Sequence, residues 1–135
     1  MGGEKMYMTY EEFKTKVIAR EINDRLYRKF VELIEDIVVE EDIQFFSMKI
    51  INETTTVFIV LKEGYMEAEI SGENISIFQS KSKLRSKQLN FDNTNHRATT
   101  LELNYDNGTS HLIEGPKEYK DEQYLTDIKY LFKIL

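Results

Sequence analysis

Asn107-Gly108 lies between two short segments, residues 101–105 and 111–113, in which apolar and polar side chains alternate. Such alternation is typical of a β-strand with one buried face. An Asn-Gly pair between two strands is a strong hairpin signal, because both central residues of a type I′ turn need positive φ. We therefore expect a two-residue hairpin turn here, and with it an antiparallel sheet.

The middle of the chain repeats this pattern of short strands and tight turns. Turns are predicted at three places: Asn52-Glu53, Glu63-Gly64 and Gly72. Residues 57–61 differ from the other segments, because apolar side chains occupy both faces, as in a central strand covered on both sides. Glu67 and Glu69 alternate with apolar residues, which indicates the solvated side of a half-buried strand rather than a catalytic carboxylate pair.

The N-terminal part of the chain carries a helical pattern. Thr9 and Glu12 have the spacing of a capping box, and apolar residues then recur at helical spacing as far as Ile37. The register changes near Ala19-Arg20-Glu21. Residues 9–41 are therefore predicted to form either one bent helix or two helices.

The C-terminal part is predicted to be a second helical segment. Gly115-Pro116 stops the strand pattern, and proline is tolerated in the first turn of a helix. The residues that follow place apolar side chains on one stripe, as in an amphipathic helix. The members of this stripe are Tyr124, Leu125, Ile128, Leu131, Phe132 and Leu135.

Together these elements predict one α+β domain over residues 1–135. It comprises a flexible start, a helical segment, antiparallel strands and a C-terminal helix, at residues 1–8, 9–41, 43–114 and 116–135. We expect one mostly antiparallel, strongly curved sheet of about seven strands with the C-terminal helix as its cap. A two-layer sandwich, with both helical segments on one face of a single sheet, fits the same pattern.

The order of a strand meander followed by a helix resembles the pleckstrin-homology-like fold over residues 43–135. The resemblance rests on the number and order of elements. Lipid-binding members of that fold use basic residues in the first hairpin loop, whereas the corresponding loop here is Asn52-Glu53-Thr54. Their final helix carries a tryptophan that this chain lacks. The resemblance therefore implies a fold and no phosphoinositide site.

The composition excludes several kinds of site. Because the chain has no cysteine, disulfides, thiolate metal sites and cysteine nucleophiles are excluded. No phosphate-loop or catalytic signature is present, so we predict no catalytic residue, no cofactor, no metal and no enzymatic activity. The sequence shows neither a signal peptide nor an apolar run of about 18 residues, which predicts a cytoplasmic protein without a membrane contact.

One local cluster departs from the acidic composition. Lys81, Lys83, Arg85 and Lys87 lie close together in a chain whose net charge is −6. With Arg97 they are the candidate contact for an anion or an acidic partner. We predict that residues 81–87 form a mobile, exposed loop between strands, and the anion contact is the alternative. Since the chain as a whole is acidic, nucleic acid is not the expected partner.

Two other groups are interpreted as having no chemical role. His111 and Ser110 are neighbours on a predicted strand, so their side chains point to opposite faces and cannot form a catalytic pair. An acidic group matches no calcium-binding loop and is interpreted as a solvated helix end. Its members are Glu35, Asp36, Glu40, Glu41 and Asp42.

The predicted function is that of a small non-enzymatic regulatory module that acts through protein–protein contacts or self-association, of bacterial or phage origin. One apolar stripe is the candidate face for a partner helix. It consists of Ile22, Leu26, Phe30, Leu33 and Ile37. The alternatives are a nucleic-acid accessory protein that uses residues 81–87, and a small-molecule binder or enzyme with a pocket near Tyr65, Tyr105 and His111.

Overall fold

The computed structural model describes residues 4–6, 8–95, 98–115 and 121–135. In these ranges the chain forms strands β1 to β8, helices α1 to α3 and one 3₁₀ turn. The helices are α1 (Tyr10–Ile18), α2 (Arg25–Ile37) and α3 (Asp121–Ile134), and the 3₁₀ turn is Glu40–Asp42. The strands are β1 (Glu4–Met6), β2 (Ile43–Ile51), β3 (Thr54–Leu61), β4 (Tyr65–Ser71), β5 (Asn74–Ser80), β6 (Leu84–Asn90), β7 (Thr100–Tyr105) and β8 (Ser110–Ile113).

The N-terminal helical segment consists of two helices. The capping box at Thr9 is present, because its hydroxyl accepts from the Glu12 N–H at 3.1 Å and Glu12 accepts from the Thr9 N–H at 3.2 Å. The chain turns at Arg20, which has a φ of +63°. Asp24 then caps α2 by accepting from two backbone N–H groups. The helical pattern that we extended to residue 41 ends earlier, at Ile37, and only a 3₁₀ turn follows.

The strands divide into two antiparallel sheets. The first has the order β1-β2-β3-β4-β5 and the second has the order β6-β7-β8. The predicted α+β class with antiparallel strands is confirmed. The single strongly curved sheet is not observed, since neither sheet is closed or strongly curled. Residues 4–6, which we placed in a flexible start, form the edge strand β1.

Two hydrophobic cores lie on the two faces of the first sheet. On one face, α1 and α2 pack against Phe46, Val57, Ile59 and Met66 to form the helix-side core. On the other face, the second sheet and α3 pack against Phe58, Val60 and Tyr65 to form the sheet-side core. β3 is therefore covered on both sides, as predicted, by α1 and α2 on one face and by the second sheet and α3 on the other. The two-layer alternative is wrong, because α3 lies in the core opposite α1 and α2.

The two-residue hairpin turn lies at a different place from the one that we predicted. Asn52 and Glu53 have φ values of +50° and +67° and join β2 to β3 in the two-residue turn that we expected at Asn107-Gly108. At the later hairpin only Gly108 has positive φ, and the loop contains residues 106–108. The Gly108 N–H donates to the Tyr105 carbonyl at 3.1 Å, as in a type I turn followed by a glycine bulge.

The C-terminal stripe is largely buried, as predicted. Tyr124, Leu125, Ile128 and Leu131 are buried in α3, and Phe132 is half-buried. None of the helices in the described ranges has the length and apolar content to cross a bilayer. The resemblance to the pleckstrin-homology-like fold stays a prediction. Pro116 lies outside the described residues.

Candidate functional site

The basic residues are not one mobile loop. Residues 84–87 belong to β6, and only residues 81–83 connect it to β5, so the predicted loop over residues 81–87 is wrong. Lys87 lies opposite Leu103 on the inner face of the second sheet. Its ammonium donates to the Phe132 carbonyl at 2.6 Å and lies 4.7 Å from the Phe132 ring centre. Lys87 therefore joins α3 to the sheet.

The remaining cations of this cluster stay on the surface. Lys81, Lys83 and Arg85 are exposed. Lys81 and Lys83 line a cavity of about 320 Å³ that also contains Tyr105. Arg97 lies outside the described residues. The structure thus leaves three of the five predicted anion contacts exposed and gives Lys87 a packing role.

The candidate partner stripe of α2 mainly covers the first sheet. Phe30 is fully buried, and Ile22 and Leu26 pack against the helix-side core. Leu33 is half-buried, and Ile37 is 51% exposed. The C-terminal turns of α2 are therefore the part of this stripe that is open to a partner.

The residues of the predicted pocket fill the space between the two sheets. Tyr65 and Tyr105 are buried, with ring centres 4.6 Å apart. His111 stacks on Phe58 with a ring separation of 3.4 Å and an interplanar angle of 13°. Asn107 donates to the Tyr65 hydroxyl at 3.0 Å, so the β7–β8 loop is tied to the first sheet. These contacts are packing contacts that hold the two sheets together.

Acidification is expected to destabilise the protein through His111. Burial lowers the pKa of His111 from 6.5 to about 4. His111 takes up a proton at higher pH in the unfolded chain than in the folded chain. The contribution of neutral His111 to the free energy of unfolding is therefore complete above its pKa in the unfolded chain, and it is lost as the pH falls toward its pKa in the folded chain. The loss should be about 2 kcal/mol between about pH 7 and pH 5.

The measurement is urea unfolding at both pH values for the native chain and for His111→Phe, which keeps an aromatic ring on Phe58. Carboxylates titrate over the same range in both proteins, so the difference between the two pH dependences isolates the histidine. Equal pH dependence in the two proteins would show that His111 is solvated in the folded state.

A cleft of about 360 Å³ lies between α3 and the first turn of α1. We call it the acidic cleft. Its floor is apolar and is made by Met8, Ile43, Phe45 and Phe46. Its other lining residues are polar, charged or aromatic, and include Thr9, Tyr10, Glu11, Glu40, Glu41, Gln44, Asp127 and Tyr130.

Local structure explains why these residues meet. The capping box sets the start of α1, which places Glu11 in the first turn beside the cleft. The acidic 3₁₀ turn leads directly into β2, where the pairing register shifts between Ile43 and Phe45. Phe45 then faces the sheet-side core and Phe46 the helix-side core. The floor of the cleft is therefore the edge at which the two cores meet.

The charge of the cleft is negative. Its described lining residues include four carboxylates and no cation. Lys14 contacts this rim: it donates to Glu40 at 2.9 Å and forms an ion pair with Glu35. Hydrogen bonds to Glu35 and Glu40 raise the pKa of Lys14 above its usual range. Lys14 therefore offsets one carboxylate of the rim, and Asp127 accepts from the Gln123 side chain at 2.9 Å, so the exposed carboxylates Glu11 and Glu41 carry the negative charge at the edge of the cleft.

Tyr10 is the buried polar group of this region. It is 4% exposed, and its hydroxyl has no hydrogen-bond partner in the described part of the chain. Burial, followed by the charge of Glu35, raises the pKa of Tyr10, so the phenol is neutral. Its ring packs edge-on against Phe46 at 5.8 Å between ring centres. Tyr10 therefore supports the floor of the cleft.

The acidic cleft was not predicted from the sequence. Glu40 and Glu41 were interpreted as a solvated helix end, and Glu11 and Asp127 come from opposite ends of the chain. The density of acids at residues 40–42 was the only signal, and it does not show which other side chains lie beside them. No group of three or more metal-ligating side chains comes together within the described ranges.

Comparisons of the chain with protein-family models, with curated proteins and with solved structures found no match.

Proposed function

We propose that this protein is a non-enzymatic regulatory module that binds a positively charged segment of a partner protein in the acidic cleft. The observation that carries the proposal is the combination of an apolar floor with a rim of carboxylates. We place this activity in the cytoplasm of a bacterium or a phage-infected cell.

The apolar floor and the carboxylate rim of the cleft would contact different parts of a basic side chain. Lysine and arginine side chains lay their apolar stems on a hydrophobic surface and keep their charged ends at its edge. Phe45 and Ile43 offer such a surface, and Glu11 and Glu41 are exposed acceptors at the edge. Charge-assisted hydrogen bonds to carboxylates are stronger than neutral ones.

The surroundings of the cleft favour a protein as the partner. Tyr130 in α3 is 63% exposed, and Val39, next to the 3₁₀ turn, is 61% exposed. Exposed aromatic and apolar side chains beside a polar rim are typical of interfaces between proteins. The net charge of −6 also favours encounters with basic partners.

The proposal predicts that charge reversal at the rim weakens binding of a basic peptide. The probe is a short fluorescein-labelled peptide of alternating leucine and lysine, with a leucine–glutamate peptide as the negative probe. In fluorescence anisotropy, Glu11→Lys/Glu41→Lys should raise the Kd of the basic peptide about tenfold, because two favourable charge pairs become repulsive. Raising the salt concentration should weaken binding by the native chain.

The matched control is Glu21→Lys/Glu63→Lys. Both residues are exposed, lie outside the cleft and produce the same change in net charge. This variant should bind the basic peptide within about threefold of the native chain. An equal loss of affinity in both double variants would mean that net charge alone attracts the peptide and that the cleft is not the site.

A further inference from the structure

The outer edge of β5 has no strand partner within the described residues. β5 pairs with β4 along all seven residues without a register shift, and it ends the first sheet. Its sequence, Asn-Ile-Ser-Ile-Phe-Gln-Ser, contains no charge and no proline. A regular, uncharged edge of this length is a template for pairing with another strand, and proteins normally protect such edges.

The other described edges carry the usual protection. β1 has three residues and β8 has four, so both are short. β6 carries Arg85 and Lys87 and has a register shift between Leu84 and Ser86. Short length, charge and irregularity all discourage pairing with another chain. β5 lacks each of these features, which singles it out among the four edges.

We propose that β5 pairs antiparallel with β5 of a second copy of this chain, so that the two first sheets form one continuous ten-stranded sheet. A two-fold axis perpendicular to the sheet relates the copies, and the contact is therefore closed and self-complementary. The proposal concerns a surface separate from the acidic cleft and goes beyond the proposed function.

Charge complementarity selects a second copy as the occupant and sets the register. When Ile77 lies opposite its own symmetry mate, Glu73 lies opposite the partner's Lys81. Both residues are exposed, and they flank the uncharged strand at its two ends. Glu73 also accepts from the Arg25 guanidinium of its own chain, at 2.6 and 2.7 Å. Opposite charges directly across a strand pair are stabilising. The pairing thus adds the partner's Lys81 to the Arg25–Glu73 ion pair at each end of an uncharged stretch.

The exposed apolar side chains of β5 fit the same register. Phe78 is 55% exposed and lies 6.2 Å from Tyr65 between ring centres. In this register Phe78 lies diagonal to the partner's Phe78, a separation that aromatic side chains can span. The contact would therefore cover an exposed aromatic ring on each copy.

On the opposite face of the sheet, the α2 helices of the two copies lie near the contact between the two β5 strands. A two-fold axis perpendicular to the sheet keeps α2 on the same side in both copies. An open groove of about 520 Å³ lies between α2 and β5, and its lining combines Leu26, Leu33 and Ile75 with three cations of α2 and with Glu32 and Glu73.

The first test is the association state of the full chain. In sedimentation equilibrium, the native chain should show a reversible monomer–dimer equilibrium. Phe78→Lys should raise the dimer Kd about 100-fold, because each dimer carries the substitution twice and places like charges near one another. Leu112→Lys is the control, since Leu112 is 47% exposed on β8, and it should leave the Kd unchanged.

The second test separates this register from any other mode of association. Glu73→Lys and Lys81→Glu should each raise the dimer Kd about tenfold. The charge swap that combines both with Arg25→Glu, which keeps residue 73 opposite an unlike charge within its own chain, should restore the Kd to within about threefold. A chain that stays monomeric at all concentrations, a dimer unaffected by Phe78→Lys, or a charge swap that fails to restore the Kd would each overturn the proposal. None of these outcomes depends on whether the acidic cleft binds a peptide, so the two proposals can fail independently.

Discussion

Gly64→Ala is expected to lower the free energy of unfolding by about 3–5 kcal/mol, the largest effect of any single substitution considered. Gly64 has a φ of +85°, which strains any residue with a β-carbon. A β-carbon placed there would also lie 2.7 Å from the Lys81 Cα and collide with the Ser80 carbonyl oxygen. Both contacts are with backbone, which cannot move without disturbing the β4–β5 pairing.

The control for this substitution is Gly72→Ala. Gly72 also has a positive φ, +59°, but nothing lies within 4 Å of the position where its β-carbon would stand. Gly72→Ala should therefore cost only the backbone strain, about 1–2 kcal/mol. Urea unfolding of the three proteins measures the difference. Equal losses of unfolding free energy in the two variants would show that residues 80–81 do not exclude a β-carbon at position 64.

Ile128→Ala is expected to lower the free energy of unfolding by about 2–5 kcal/mol, the range for a large-to-small change in a packed core. Ile128 is fully buried in α3 and belongs to the sheet-side core with Leu101, Leu103 and Tyr124. The change removes apolar contacts and leaves a cavity between α3 and the second sheet. Alanine favours the helix slightly, so the loss comes from packing.

Ile134→Ala provides the matched control on the same helix. Ile134 is 40% exposed, so its replacement should cost less than about 1 kcal/mol. The two variants are compared by thermal and urea unfolding of the full chain. A neutral Ile128→Ala would mean that α3 does not pack on the sheet and is instead free for a partner.

Much of the fold could be predicted because its determinants are local. The capping box depends on Thr9 and Glu12, three residues apart, and the structure contains both of its hydrogen bonds. The apolar pattern of residues 57–61 predicted a strand covered on both faces, and each face belongs to a different core. The stripe of α3 likewise predicted the burial of Ile128.

The lengths of the hairpin turns could not be predicted from neighbouring residues alone. Asn107-Gly108 has the composition of a two-residue turn, but the Asn107 side chain also accepts from the Thr109 N–H at 3.0 Å and donates to Tyr65 in the other sheet. These contacts favour a longer loop. Asn52-Glu53 forms the two-residue turn instead, because the β2–β3 register closes at Ile51 and Thr54.

The candidate site could not be predicted, because its residues are distant in sequence. Glu11, Glu41 and Asp127 are brought together only when α3 lies beside the start of α1 and the 3₁₀ turn. Lys87 was predicted to belong to a site but has a packing role instead. Its place in a basic run predicted an exposed contact, whereas tertiary packing directs it to the Phe132 carbonyl.

By itself, the sequence determined the class of the fold, the start of its first helix, the strand with two buried faces and the buried stripe of its last helix. These features follow from hydrophobic periodicity and from hydrogen bonds between near neighbours. Only the tertiary structure decided that the strands form two sheets, that β5 is left as an unprotected edge and that four carboxylates share one cleft. Each of these depends on how distant elements pack together, and the alternation of residues within a strand carries no information about its neighbours in space.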